Sequence, residues 1–335
     1  MKMRFLAGVA LGLFAFLAHS ADSPKIATYG DGEAKFEVGT ILHDWHDAKR
    51  DRNVPVKIYY PKSGKGPFPV IIFSHGLGGS REGYEYLGQA WAKHGYVSVH
   101  LQHLGSDDAV WRDAGLFDKM DAMRRSAFDP ANAINRPRDV SFAIDELEKL
   151  NKGDSVLAKR LDLDHIGVGG HSFGAYTALA IAGETFLPRG GKESSLADSR
   201  VKAVIAMSAP VNANRPRLDE AFAKIKIPCY HMTGTKDTSP IGDTSPEERR
   251  LPFDHTNGSD QYLLTLEGGD HMVFSGRGKM LTSKKDEGFQ KLISASSTAF
   301  WDAYLKNDAK ARSWLTNDFK KELGKDGTFE IKLKK

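Results

Sequence analysis

The chain has 335 residues, is 40% hydrophobic and 27% charged, and carries a formal net charge of +4. That length buries one large core or two modest ones, and the composition is that of an ordinary globular protein. Basic and acidic residues are mixed along the chain, which excludes a nucleic-acid-binding footprint, and a single cysteine, Cys229, excludes an internal disulfide.

The first 20 residues read as a cleaved signal peptide. Lys2 and Arg4 precede the apolar run Phe5–Ala18, and Ala18-His19-Ser20 is a small-x-small cleavage site. The run falls short of the roughly 20 apolar residues a membrane span needs. The mature protein is therefore expected to begin near Ala21, to be secreted or periplasmic, and to have no stable membrane span after processing. Loss of Lys2 and Arg4 lowers the formal charge to +2.

Residues 21–335 show no internal repeat, low-complexity tract or linker, and strand-like runs alternate with helical ones. This predicts one α/β domain with a largely parallel central sheet. Ala34–Ile41 and Val54–Tyr60 are predicted as antiparallel opening strands. Phe68–Phe73 is a buried strand ended by His75-Gly76-Leu77-Gly78-Gly79. Ser80–His94 is a helix with an apolar face at Tyr84, Leu87, Ala90 and Trp91, and Tyr96–Leu101 is the next strand. An insertion, Gly105–Asn135, is partly helical around Ala109–Arg125. Arg136–Leu150 is a clearer helix. Leu163–Gly169 is a strand, Phe173–Gly183 an Ala-rich helix, and Val201–Met207, Ile227–Met232 and Gln261–Leu266 are strands. Lys284–Leu305 is a long helix, and the last 30 residues give no clear pattern. The long loops near 105–135, 183–200 and 238–258 are expected to wall a pocket, because loops at the carboxyl ends of the strands build the site in an open α/β sheet.

The densest chemical signal is Gly170-His171-Ser172-Phe173-Gly174, a G-x-S-x-G segment between a predicted strand and a predicted helix. A serine hydroxyl is a poor nucleophile unless exposed, strained and beside a base, and a strand–sharp turn–helix context supplies the first two conditions. With Ser172 as nucleophile, an acid and a histidine should follow in loops after later strands. Asp237 lies in Gly234-Thr235-Lys236-Asp237, and His271 in Gly268-Gly269-Asp270-His271. His271 would take the Ser172 proton, and Asp237 would fix the imidazole tautomer and stabilise its cation. Asp270 adjoins His271 but points elsewhere by sequence geometry, Asp243 and Asp254 lie deep in a loop, and Ser208-Ala209-Pro210 ends its strand with no carboxylate. The oxyanion donors are expected to be the N–H groups of Phe173 and Leu77.

Other residues carry weaker signals. His103 ends a strand near the expected mouth, and with Trp111 and Phe117 is a candidate for substrate contact; Leu116 and Met120 add apolar surface to the same insertion. His171 is expected to pack beside the elbow. Arg136, Arg138 and Asp139 read as ion pairing at a helix start. His43 and His46 lack a third ligand for a metal, and Gly190-Gly191-Lys192 lacks the spacing of a phosphate loop. Cys229 reads as a buried strand residue, and Asn257-Gly258-Ser259 is a glycosylation sequon in a eukaryotic host. No metal, nucleotide or organic cofactor is implied.

The chain resembles the α/β-hydrolase superfamily, and more closely its platelet-activating factor acetylhydrolase and dienelactone-hydrolase-like esterases. The likeness spans about residues 35–315. It is carried by Trp45-His46-Asp47 to Val54-Pro55-Val56, Phe73-Ser74-His75-Gly76-Leu77-Gly78-Gly79, Gln102-His103, Gly105-Ser106-Asp107, Asn135-Arg136-Pro137-Arg138-Asp139-Val140 and Gly170–Gly174. Dienelactone hydrolases proper carry a Cys nucleophile, where this chain has Ser172. The acetylhydrolase-type acid follows the strand after the elbow, where this chain has Ser208-Ala209-Pro210; an acid after the later strand is similar to cutinase-like polyesterases. The resemblance implies an α/β-hydrolase fold, with a mostly parallel sheet, helices on both faces and antiparallel N-terminal strands. It also implies a serine esterase acting on a small-molecule or lipid-like ester, with no nucleic-acid partner. A prolyl-oligopeptidase-type peptidase and a non-catalytic binding protein on the same fold are the alternatives. The oligomeric state is left open.

Overall fold

The computed structural model describes Tyr29 and residues 35–115, 117–186, 194–239, 241–276 and 283–334. The expected leader over residues 1–20, Leu116 and Gly190-Gly191-Lys192 lie outside them. In chain order, β1 (Val38–Asp47) and β2 (Arg52–Pro61) form an antiparallel hairpin, followed by β3 (Phe68–Ser74), α1 (Glu85–Lys93) and β4 (Val97–Leu101). The insertion carries α2 (Ala109–Arg112) and α3 (Lys119–Ala127). Next come α4 (Pro130–Lys152), β5 (Leu161–His171) and α5 (Phe173–Ala182). A two-residue antiparallel pair, β6 (Thr185–Phe186) and β7 (Ser194–Ser195), precedes β8 (Val201–Met207), α6 (Leu218–Phe222), β9 (Cys229–Lys236), α7 (Leu251–His255) and β10 (Gln261–Asp270). The chain closes with α8 (Lys284–Leu305), α9 (Ala309–Ser313), α10 (Phe319–Leu323) and β11 (Gly327–Lys332).

Among the described residues, nine strands form one sheet in the order β1-β2-β4-β3-β5-β8-β9-β10-β11. The six from β4 to β10 run parallel, and the hairpin and β11 border them antiparallel. The interior strands are buried on both faces, as a continuous β-branched run requires. Along β3, Val70 and Ile72 join one apolar cluster, with Val140, Ile144 and Leu147 of α4 and Ala175 and Leu179 of α5. Ile71 and Phe73 join the other, with Leu87 and Trp91 of α1 and Phe300 and Trp301 of α8. Side chains alternate along a strand, so the two clusters are the two faces of the sheet and the helices cover both. This is the α/β-hydrolase architecture that the resemblance implied.

Several boundaries differ from the sequence-based expectation. α4 begins at Pro130, six residues before the expected start, with Asp129 capping it through Ala131 N–H. Pro130 occupies the first turn, where its missing N–H has no intrahelical partner to lose. The expected insertion therefore ends near Asp129. The expected single helix over Ala109–Arg125 is two, α2 and α3. The tail, unreadable in sequence, is helical to Leu323 and then supplies the edge strand β11, paired Gln261↔Lys332 to Leu266↔Gly327. Lys284–Leu305 is a helix at the expected bounds, closed at its start by a reciprocal Ser283–Asp286 capping box.

Candidate active site

The carboxyl ends of β3, β5, β9 and β10 converge on Ser172. β5 ends at His171, α5 starts at Phe173, and Ser172 alone makes the reversal with φ +56 and ψ −119. Positive φ is unusual for a residue with a Cβ. It is held there because Ser172 N–H donates to Met207 O of β8 at 2.8 Å and Ser172 O accepts from Ala175 N–H at 2.8 Å. The flanking glycines are required by contact. A Cβ on Gly170 would lie 2.1 Å from Gly174 O, and one on Gly174 would lie 1.9 Å from Ser74 O.

Ser172 Oγ stands 3.0 Å from His271 Nε2, and His271 Nδ1 stands 2.7 Å from Asp237 Oδ1. A carboxylate only accepts, so Nδ1 carries the hydrogen and Nε2 is left to accept from the serine hydroxyl. Asp237 sits one residue beyond β9 and His271 one residue beyond β10, both strands running further than the sequence indicated. Asp237 is buried and saturated. Its Oδ2 accepts from Ser208 Oγ at 2.5 Å and Thr233 Oγ1 at 2.9 Å. Arg249 Nε lies 2.9 Å from Oδ1 and donates to the Asp237 carbonyl at 2.8 Å. Burial pushes the Asp237 carboxyl up, but the His271 hydrogen bond and the Arg249 charge, with Ser208, bring it below the ordinary carboxylate value. Arg249 Nη1 also ties the carbonyls of Ser208 and Ala209. Of the competing acids, Asp270 accepts from Met272 N–H and Asp254 pairs with Arg250.

The loop after β3 faces the elbow. Gly76 N–H donates to Tyr84 Oη, Gly78 N–H to Ser106 O and Gly79 N–H to Gly76 O. Among the described residues the Leu77 N–H meets no acceptor, and the Phe173 N–H opens α5, where a helix leaves its first amides unpaired. His171 Nε2 lies 2.8 Å from the His271 carbonyl, which can only accept, so Nε2 bears the proton and Nδ1 accepts from Tyr84 Oη at 2.8 Å. A directional chain thus runs from the Gly76 amide through Tyr84 and His171 to the backbone of His271. Burial, with the His271 imidazole alongside, holds the His171 imidazole well below its ordinary value, and burial raises the Tyr84 phenol to about 12.

The substrate-contact candidates separate. Trp111 Nε1 donates to Gly78 O at 2.8 Å, and a Cβ on Gly78 would meet Met123 at 2.8 Å and Trp111 at 2.9 Å, so both side chains lie on the loop after β3. Phe117 is 95% exposed and Met120 is exposed, so neither ring nor thioether is packed into the core. His103 is a correction. It is fully buried, its Nε2 on Ser74 Oγ and its Nδ1 on Asp139 Oδ2, each at 3.0 Å, so it has no surface for a substrate. Burial, with the charge of Arg136, lowers its imidazole to about 4. The ion pairing expected among Arg136, Arg138 and Asp139 is also different, because Asp139 pairs with Arg50 and Arg52 from the hairpin side. Of the three long loops, the described end of 183–200 enters β8 at its amino end, where Arg200 pairs with Asp145 and Glu148 of α4. That part lies at the end of the sheet opposite Ser172, because Val201 pairs with Ile166 while Met207 pairs with His171. Arg249, Tyr84 and Ser208 were not singled out as site residues from sequence. Nothing in their local pattern marks them, since each reaches the site only through the fold.

Residues 38–114 match the family described as platelet-activating factor acetylhydrolase, isoform II. The platelet-activating factor acetylhydrolase of Canis lupus familiaris is 22% identical over 234 residues, covering 62% of this chain and 48% of that protein. The Cavia porcellus protein of that name is 23% identical over 299 residues, covering 78% of this chain and 63% of that protein. The Bos taurus protein is 22% identical over 236 residues, covering 62% and 48%. The chain thus spans between about half and two thirds of the length of these curated relatives.

Proposed function

We propose, on the premise that this chain is a relative of the platelet-activating factor acetylhydrolases on the α/β-hydrolase fold, that it is a serine hydrolase cleaving carboxylic esters through an acyl-enzyme. The observation that carries the proposal is the hydrogen-bonded line from the strained Ser172 through His271 to the buried Asp237. In the first step His271 Nε2 accepts the Ser172 hydroxyl proton as Oγ attacks the ester carbonyl. Charge passes to the carbonyl oxygen, which the Leu77 and Phe173 amides would receive. The imidazolium, stabilised by Asp237, then gives its proton to the departing alkoxide. Water, deprotonated by the same imidazole, releases the acid in the second half-reaction.

The substrate in this proposal is a lipid-like or small acyl ester. The apolar surface that Trp111 and Met123 lay on the oxyanion loop supports an apolar group beside the reacting carbonyl. No helix among the described residues is long and apolar enough to cross a membrane, and the leader over residues 1–20 supports export with a mature start near Ala21. N-terminal sequencing of exported protein tests that start; a retained Met1 form in the membrane fraction contradicts it.

The activity is tested with p-nitrophenyl esters of rising acyl length beside a peptide p-nitroanilide. Hydrolysis of the esters, with a graded chain-length preference and little anilide cleavage, is expected. Preferential anilide cleavage would favour a peptidase, and inertness to both would favour a binding protein. The gradation follows because apolar contacts discriminate by only about 1–3 kcal/mol per methylene.

A further inference from the structure

Arg136 is a guanidinium with no exposed surface, and among the described residues no carboxylate stands in contact with it. Asp139, three residues on in α4, is occupied by Arg50, Arg52 and His103. Asp107 in the insertion is bonded by Gln102 Nε2. A buried cation without a contact partner is costly. Its donors go instead to three neutral oxygens on three separate segments. Nη2 donates to the His75 carbonyl in the loop after β3, Nη1 to Ser106 Oγ at 2.8 Å in the insertion, and Nε to Thr177 Oγ1 at 3.1 Å in α5. The guanidinium also lies over the Phe173 ring, 4.6 Å from its centroid.

These contacts bracket the two amides assigned to the oxyanion. His75 is two residues before Leu77, in a stretch with glycines at 76, 78 and 79 that has little conformational stiffness of its own. Phe173 supplies the second amide, and Thr177 is one helical turn further along α5. The donors must stand together at about 2.7–3.1 Å from one oxygen, so the spacing between loop and helix decides how well they act. A planar group with five donors bridges three segments at once, which a lysine ammonium on a flexible stem does not.

We propose that Arg136 is a positioning residue that locks the loop bearing the Leu77 amide to the start of α5, and so sets the geometry of the oxyanion hole. The inference rests on the esterase proposal above. A residue that only supports the fold would lower stability when replaced. A residue that sets oxyanion geometry lowers transition-state binding and leaves ground-state binding in place.

The test compares the parent with R136Q, R136K, T177V and S106A, each first checked for native circular dichroism. Turnover of p-nitrophenyl acetate is measured beside inhibition by an alkyl trifluoromethyl ketone, whose hemiketal places an oxyanion on the serine. R136Q is expected to lose about 10²-fold in kcat with KM within about threefold, the size of a lost oxyanion donor. Its Ki for the ketone should rise by a similar factor. R136K should fall between R136Q and the parent. T177V and S106A, which each remove one anchor, should raise the ketone Ki severalfold and carry the test if R136Q does not fold. Unchanged ketone Ki in folded variants of an active parent would overturn the inference alone. A parent inert to ester and ketone would overturn the esterase proposal and this inference with it.

Discussion

Replacing Asp237 with Asn gives a result that depends on the partners of each carboxylate oxygen. Oδ1 faces His271 Nδ1 at 2.7 Å and Arg249 Nε at 2.9 Å, and Arg249 can only donate. Oδ2 faces the hydroxyls of Ser208 and Thr233, which donate to the carboxylate but can rotate to accept. An asparagine should therefore seat its carbonyl toward His271 and Arg249 and its amide toward the hydroxyls. The imidazole would keep its tautomer, and the loss would come from the missing charge. Two unit charges about 4 Å apart interact by roughly 4 kcal/mol at an effective dielectric of 20, which is about 10³ in rate. That is less than the roughly 10⁴ seen where an asparagine also reverses the tautomer. The assay is kcat/KM on p-nitrophenyl acetate for the parent, D237N and D270N, with proton NMR of the His271 Nδ1–H. D237N should lose about 10³ and retain the downfield proton, and D270N should stay within a few fold. A D237N loss below tenfold, or an equal loss in D270N, would refute Asp237 as the acid. A larger loss with the downfield proton gone would refute the role given to Arg249 in orienting the side chain.

Other outcomes follow from the same geometry. His100 and His103 are wholly buried and held neutral, with values lowered by burial to about 3 and about 4. An unfolded histidine takes its proton near pH 6.5, so stability is full above that value and is lost as pH falls. Between pH 6.5 and 5 each contributes a loss of about 2 kcal/mol. Thermal melts should show Tm falling over that interval, and a flat Tm from pH 7 to 5 would contradict the buried network. Trp111→Ala should change the acyl-length profile because the indole lies on Gly78, whereas Phe117→Ala, with its ring in solvent, should leave the profile on soluble esters unchanged; the reverse pattern would place the pocket elsewhere. Gly174→Ala should destabilise by roughly 3–5 kcal/mol or prevent folding, since its Cβ would meet the Ser74 carbonyl; a normal melt would show the turn is looser than described.

The sequence was most legible where burial is two-sided and chemistry is local. Phe68–Phe73 and Val201–Met207 read as core strands because an interior parallel strand is covered on both faces, Lys202 at the start of the second being exposed, and the elbow was legible because its glycines and serine lie within five residues. β11 was not, because Thr-Phe-Glu-Ile-Lys is a short edge strand whose partner β10 lies about 65 residues earlier in the chain. The first turns of α4 were hidden by Pro130, which reads as a breaker until its place in the first turn is seen. His103 was misjudged because the end of a strand marks the site end of the sheet but says nothing about what covers it. Here α4 brings Asp139 onto the ring's Nδ1. Arg249 lies 12 residues beyond Asp237 in an irregular segment, so only the fold shows that the two touch.

The central claim is that Ser172 is the nucleophile of an ester hydrolase. Reaction with a fluorophosphonate, followed by peptide mass spectrometry, tests it most directly. One adduct per chain on the peptide containing Ser172, rising in step with loss of p-nitrophenyl acetate hydrolysis and absent in Ser172→Ala, is the expected result. An adduct on Ser74 or Ser208 instead, or full hydrolysis by Ser172→Ala, would contradict the assignment.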